Sequence, residues 1–323
     1  MGLSVDRPVA FLSENDIEYL TLALGAMWAG VPVAPVSSAY SLILQDYGKL
    51  RQILGIVTPG LVFAANAGFA KAIATVLPAE VPVVLTEGAA AAAIDGPLAG
   101  RDLRHFNSRL AIEPGATLIA AHAAVGPDTV AKCLYTSGTT KALKGVVNTH
   151  RMLCANQQRL RQCMVFLADE PPVLLDWLPW THAFGGNHNL GLTLYNGGTL
   201  YIDDGKPTPK GIAATLRNLR EISPTACFNV PKEFEEIAFA MDTYTVLYGS
   251  AVQALQGLHV CRRRPESLRV FRSGPLITPK DARSSLQMLA IARAMAALCA
   301  RAGRPWPLPG TNSPQDCLCP GSA

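Results

Sequence analysis

An α/β fold, with parallel sheets flanked by helices, follows from three observations on this 323-residue sequence. Short apolar runs of strand length recur through the first hundred residues, each bounded by Gly, Pro or polar residues. Between them stand longer segments whose apolar residues recur at helical spacing. The first of these helical segments is apolar nearly all round, as an element covered on both faces must be. Strands alternating with helices in this way build parallel sheets with right-handed crossovers.

Taken in order, Val9–Leu12 reads as a short buried strand. Ser13 is placed to cap the helix that follows, with Asp16 three residues on and Ile17, Leu20, Leu22, Leu24 and Met27 leading to Gly30. Residues 31–36 form the second strand and residues 42–56 the second helix, with Leu44, Tyr47, Leu50 and Leu54 on one side. Leu61–Ala64 is a third strand, residues 69–77 a third helix and residues 81–85 a fourth strand. Residues 86–110, with the alanine run from Ala89 to Ala93, read as a loose surface connection. We expect a first α/β subdomain over residues 1–110, cut short at its start because the first strand arrives almost at once. A second follows over 111–244.

Composition narrows the class. Hydrophobic residues make up 49% and charged residues 16%, which excludes a disordered chain. Residues 1–244 hold 18 Lys+Arg against 21 Asp+Glu, a net of −3, whereas residues 245–323 hold 10 against 3, a net of +7. The stretch from Tyr19 to Gln45 lacks charge, but Gly25, Gly30, Pro32 and Pro35 interrupt it, so a buried helix running into a buried strand explains it better than a membrane span. Cys133, Cys154, Cys163 and Cys227 stand apart in apolar or helical surroundings, the habit of reduced thiols in a cytoplasmic protein. Cys317 and Cys319 have no second pair at zinc-ligand spacing, and no protein metal site is expected.

The strongest local signal is the run from Lys132 to Val147, which contains Thr136-Ser137-Gly138-Thr139-Thr140 and then Lys144. A short strand feeds a loop of glycine and hydroxyl residues, then a lysine, then another strand. Phosphate needs donors that approach closely and a cation to neutralise spread charge, and this composition supplies both. The order of a Walker loop is absent. Downstream, Asn148-Thr149-His150-Arg151 leads into a helix over residues 152–167. Then comes Leu178-Pro179-Trp180-Thr181-His182-Ala183-Phe184-Gly185, and after it a strand entered through Asn196-Gly197-Gly198.

In joint order these motifs resemble the acyl-adenylate-forming (AMP-binding) superfamily of acyl-CoA synthetases, luciferases and peptide-synthetase adenylation domains. The run from Asp176 to Pro209 is similar in particular to feruloyl-CoA synthetases. The resemblance covers roughly residues 7–242. It implies the N-terminal domain of an AMP-forming ligase, in which Thr136, Ser137, Gly138, Thr139, Thr140 and Lys144 grip the phosphates of ATP. It also implies that His182 is the catalytic-site residue near the acyl carboxylate, with Trp180, His182, Phe184 and Gly185 walling the substrate pocket. The implied reactants are a small carboxylic acid of the ferulate type, ATP with Mg²⁺, and CoA as co-substrate. A CoA ligase for another aryl or fatty acid, or a non-catalytic nucleotide-binding fragment, would share the same motifs. Lys141 stands where the family usually has glycine and Leu143 where it usually has proline. A left-handed backbone at residue 141 would cost lysine about 1 kcal/mol against glycine.

After residue 242 the texture changes. Arg outnumbers Lys nine to one in the last 79 residues, half the cysteines fall there, and acids almost vanish. The resemblance also implies an adenine-binding segment, a ribose-binding Thr-Gly-Asp and a small C-terminal domain, none of which is legible there. A frameshift near codon 244 is the expected origin of this aberrant basic tail, and such a chain by itself is expected to be inactive. Only residues 285–300 have helical spacing. Arg262-Arg263-Arg264 is the sole basic cluster and has no interleaved aromatics, so neither a nucleic acid nor a membrane is an expected partner. Reading the parent DNA past codon 244 in its other frames should recover a Gly-x-Thr-Glu-like segment; continued nonsense in both refutes the frameshift.

Overall fold

The computed structural model describes residues 2–44, 46–86, 96–110, 112–137, 143–208, 210–222 and 224–243. Gly138, Thr139, Thr140, Lys141 and the whole of 244–323, with the helix expected over 285–300, lie outside the described residues. What is described is a mixed α/β structure with a mostly parallel central sheet flanked by helices.

The central sheet contains β1 (Val9–Leu12), β2 (Val33–Val36), β3 (Leu61–Ala64), β4 (Val83–Leu85), β5 (Leu103–His105), β6 (Val130–Ser137) and β7 (Leu143–Thr149). Their spatial order is β5-β4-β3-β1-β2-β6-β7. All neighbours are parallel except β6 and β7, which form an antiparallel hairpin at one edge. The sheet therefore runs across residue 110, with β6 pairing to β2. β8 (Val173–Asp176) and β9 (Thr199–Ile202) make a separate parallel pair.

Helices α1 (Ile17–Trp28), α2 (Ala39–Leu42), α3 (Gly48–Val57) and α4 (Ala70–Val76) connect the first four strands, which are buried on both faces because side chains alternate along each strand. Ala10, Leu12, Ala34, Val36, Val62 and Ala64 point to one core with α3 and α4. Val9, Phe11, Val33, Leu61 and Phe63 point to the other, where α1 packs and where Trp180, Leu190 and Leu194 join it. Parallel register sets Phe11 beside Phe63, with ring centroids 5.5 Å apart.

Three local expectations need correction. The cap of α1 is Asp16, whose carboxylate accepts from the Tyr19 amide; Ser13 instead donates its hydroxyl to Asp16. The carboxylate serves both donors at once, one on each oxygen. The helix expected over 42–56 is two helices, α2 and α3, because Tyr47 adopts a left-handed backbone (φ 51°) with its ring held in the core. Residues 86–110 are not wholly loose: β5 adds an edge strand by backbone pairing of Leu103 with Val83, followed by α5 (Asn107–Leu110).

Beyond α6 (Ala116–Ala123), the helix expected over 152–167 is α7 (His150–Cys163) and α8 (Phe166–Asp169), with the Thr149 hydroxyl accepting from the Met152 amide at the start of α7. Further on are α9 (Leu190–Tyr195), α10 (Ile212–Glu221) and α11 (Pro231–Thr243). Ile212, Leu216 and Leu219 of α10 and Ile237 of α11 close a small core over Leu175 of β8.

Carboxylates are buried where that layer meets the β8–β9 pair. Asp176, Asp203 and Glu233 are 1%, 6% and 1% exposed. Asp203 is satisfied by Gly205, Thr215 and Asn218. Burial, and after it the Asp203 charge, pushes Glu233 up to about 7, and burial pushes Asp176 up to about 7 as well. A carboxyl raised in the folded state stabilises below its unfolded value and loses that contribution as pH rises through its folded value. Stability should therefore fall between about pH 4.5 and 7, and Glu233→Gln should flatten the fall and stabilise the protein at pH 8 by on the order of 1–3 kcal/mol. Urea denaturation at pH 5 and pH 8 measures both effects; an unchanged slope in the variant would mean that Glu233 is not the group responsible.

Candidate functional site

The hairpin comes first. β6 pairs with β2 at its beginning, through Val33 and Lys132, and beyond that point β7 is its strand partner. Cross-strand register sets Thr136 opposite Lys144 and Ser137 opposite Leu143 at the hairpin's end, and both Thr136 and Lys144 are exposed. The backbone thus brings a hydroxyl and an ammonium of the sequence-predicted phosphate loop together on neighbouring strands.

The second segment starts where β8 ends. The Leu178 amide donates to Asp176 Oδ1 at 3.1 Å, which turns the chain out of the strand. Asn15, just before α1, then holds the turned segment as a strand neighbour would. Its amide donates to Leu178 O at 2.9 Å, and its Oδ1 accepts from the Trp180 amide at 3.0 Å. Trp180 is 1% exposed and packs on Tyr19 of α1, ring centroids 5.5 Å apart.

After Trp180 the chain enters a π-helical turn, Phe184–Asn189, that runs directly into α9. The turn packs so closely on the preceding backbone that two of its residues must be glycine. A Cβ at Gly185 would stand 2.4 Å from Leu178 O, and one at Gly186 would stand 2.2 Å from Trp180 O. His182 is exposed and Phe184 half-buried, so of the predicted pocket residues these two face outward while Trp180 and Gly185 are internal. Phe184 stands edge-on to His188 (5.3 Å, 75°), and His188 edge-on to Phe228 (5.0 Å, 72°). Burial lowers the His188 pKa, which suits a neutral ring in an aromatic stack.

A lysine with no role expected from the sequence joins the two segments. Lys132 of β6 is 5% exposed, and its ammonium donates to Gly186 O at 3.0 Å and to Asn187 Oδ1 at 3.1 Å. Burial pushes it down to about 8. The signal available in the sequence was a charge set between Ala131 and Cys133 in an apolar run. Beside it lies a cavity of about 40 Å³ lined by Tyr19, Leu24, Trp180, Gln157 and Leu190 among others. A water needs roughly 10–15 Å³ and a benzene site about 150 Å³, so this cavity suits water and is too small for an aromatic acid.

With the fold and this geometry in view, comparison with known proteins settles the class. The family described as AMP-binding enzyme matches residues 1–300, and the chain belongs to it. Over 282 residues it is 28% identical to a (methyl-dioxo-octahydro-indenyl)propanoyl:CoA ligase of Rhodococcus jostii, covering 84% of this chain and 48% of that one. Over 193 residues it is 27% identical to a luciferin 4-monooxygenase of Photuris pensylvanica, covering 59% of this chain and 34% of that one. The chain thus spans about half the length of the first relative and a third of the second. Among solved structures, a protein of Rhodopseudomonas palustris described as a long-chain-fatty-acid CoA ligase superposes with a TM-score of 0.58 at 19% identity, over 80% of this chain and 56% of that one, a likeness of fold.

Gly186→Ala should cost at least about 2 kcal/mol, since the added methyl cannot be placed without moving the Trp180 backbone. Urea unfolding measures it, and a midpoint equal to that of the unmutated chain would show that the turn is not held as described.

Proposed function

We propose that this chain carries the ATP- and acid-binding part of an AMP-forming acid–CoA ligase acting on an aryl acid of the ferulate type. The observation that supports it most directly is the hairpin register, which sets Thr136 against Lys144 on the two strands that flank the glycine- and hydroxyl-rich sequence. In this reading Thr136, Ser137, Gly138, Thr139 and Thr140 donate hydrogen bonds to the β- and γ-phosphates, and Lys144 neutralises the charge that grows as pyrophosphate leaves. The acid's carboxylate oxygen attacks the α-phosphorus and the bond to pyrophosphate breaks. The thiol sulfur of CoA then bonds to the acyl carbon of the acyl-AMP, the bond from that carbon to the phosphate oxygen breaks, and AMP leaves with release of the thiol proton.

His182, exposed on the turn after Trp180, is the residue proposed to meet the acyl carboxylate, with Phe184 and Gly185 shaping the wall beside it. Trp180 contributes by fixing the turn from beneath. The small cavity by Lys132 excludes itself as the aryl pocket on volume, so the acid is assigned to the outer side of the turn. Among the described residues no group of three His, Cys, Asp or Glu could hold a metal. Mg²⁺ is commonly held by substrate phosphates with one or two carboxylates, so in this reading the ion arrives with ATP. The Rhodococcus relative, a CoA ligase by name, supports the reaction class. The run from Asp176 to Pro209 supports the ferulate-type acid. No described helix is long and apolar enough to cross a membrane, and the proposed setting is the cytoplasm.

Calorimetric titration of the 323-residue chain with MgATP, and separately with ferulate, benzoate and a fatty acid, tests the proposal. ATP should bind, and ferulate should bind more tightly than the other acids. Lys144→Ala should weaken ATP at least about tenfold while leaving ferulate unchanged, a loss in keeping with one charge-assisted contact. Equal losses for both ligands would take Lys144 out of the phosphate role, and preference for the fatty acid would replace the substrate class.

A further inference from the structure

Lys132 is the only lysine or arginine buried among the residues whose side chains are described, and no carboxylate pairs with it among them. Burying an ammonium is costly unless hydrogen bonds replace its water. Here the replacement is made by neutral groups alone, Gly186 O and Asn187 Oδ1. An apolar side chain would fill the same position without that cost.

The bonds around it converge on two consecutive residues of the π turn. Asn187 donates its side-chain amide to Asn148 Oδ1 of β7 at 3.0 Å. The Asn187 carbonyl accepts from Gln157 Nε2 of α7 at 2.6 Å. Strand β6, strand β7 and helix α7 are therefore all bonded to Gly186–Asn187. Lys132 lies four residues before Thr136, Asn148 four after Lys144, and Gly186 four after His182. The adjoining cavity is too small for the acid, so Lys132 is not a substrate-binding cation.

We propose that Lys132 is a positioning residue: its ammonium ties the turn that follows His182 to the base of the hairpin that carries Thr136 and Lys144, so that the acid-facing and phosphate-facing segments move as one unit. The role of the two segments rests on the function proposed above, whereas the tie itself stands on the hydrogen bonds just given. A rigid link of this kind matters because reacting atoms held at near-attack distance lose rate steeply with small displacements. The charge suits the task, since a charged donor makes a stronger bond to the two oxygens than a neutral one.

Hydrogen exchange on the full chain, followed by mass spectrometry, tests the tie without any ligand. Lys132→Met should speed exchange at least about tenfold at both 184–191 and 144–149, leaving 50–64 unchanged. Asn187→Ala should do the same, and the double variant should go no further, as expected for two members of one network. A response in only one of the two segments, or additive effects, overturns the tie. If Lys132→Met fails to fold, Asn187→Ala decides on the same readout. A second measurement adds MgATP. In the unmutated chain the nucleotide should slow exchange at 144–149 and, through the tie, at 184–191. In Lys132→Met that protection should stay in the hairpin. Protection of both segments in the variant would make Lys132 merely structural. No effect of ATP on the unmutated chain would overturn the phosphate role of the hairpin and the positioning role with it, and the ligand-free exchange rates would still decide whether the tie exists.

Discussion

The side chains of β1, β2 and β3 alternate between two cores, and the placement of everything else follows from that alternation. Val9, Phe11, Leu61 and Phe63 form the floor on which α1 lies, and Ala10, Leu12, Val62 and Ala64 form the floor for α3 and α4. A one-residue slip in either strand would exchange the two sets. Both phenylalanines of these strands, Phe11 and Phe63, fall on the α1 side. That side has the aromatic surface to take Tyr19 and, stacked beyond it, Trp180. The turn bearing His182 is therefore anchored in the same core as the centre of the sheet.

Polar groups are buried mainly where segments distant in sequence meet. Lys132, Asn148, Gln157 and Asn187 join the hairpin, α7 and the π turn, while Asp176 of β8, Asp203 just after β9 and Glu233 of α11 are buried carboxylates. The two groups differ in chemistry. The first is a chain of donors and acceptors in which each bond orients the next. The second gathers carboxyl groups, two of which, Asp176 and Glu233, are pushed up by burial, so its strength falls as pH rises through neutrality. A sheet interior made only of Val, Ala, Phe and Leu would not distinguish one neighbouring loop conformation from another. The directional network can, and it lies under the candidate site.

Glycine in the turn acts through space and not through dihedral freedom. Gly185 and Gly186 are required by carbonyl oxygens of Leu178 and Trp180 that lie where a Cβ would stand. This explains why a turn with a buried tryptophan on one side can still present His182 and Phe184 on the other: the backbone is thin enough there to be shared by a core and a surface.

Strands β1 and β3 were legible to the residue, because a strand covered on both faces is a continuous apolar run and that property is local. β2 and β4 each begin two residues later than their apolar runs suggest, since Pro32 and Pro82 lie in the entries and offer only carbonyls, to the Val9 and Val62 amides. β5 was not legible: Leu103-Arg104-His105 is polar, as edge strands are, and only its pairing with β4 makes it a strand. For the site, the order of the motifs and the composition of the loop could be read from the chain. Which residues face outward could not, because His182 and Trp180 stand two apart and differ only in what packs on them. The bonds from Lys132 to residues 54 and 55 positions away could not be read either. Alternation and turn chemistry act between neighbours, so sequence alone determined them; the buried cation's partners depend on how the chain closes on itself, and that only the tertiary structure decided.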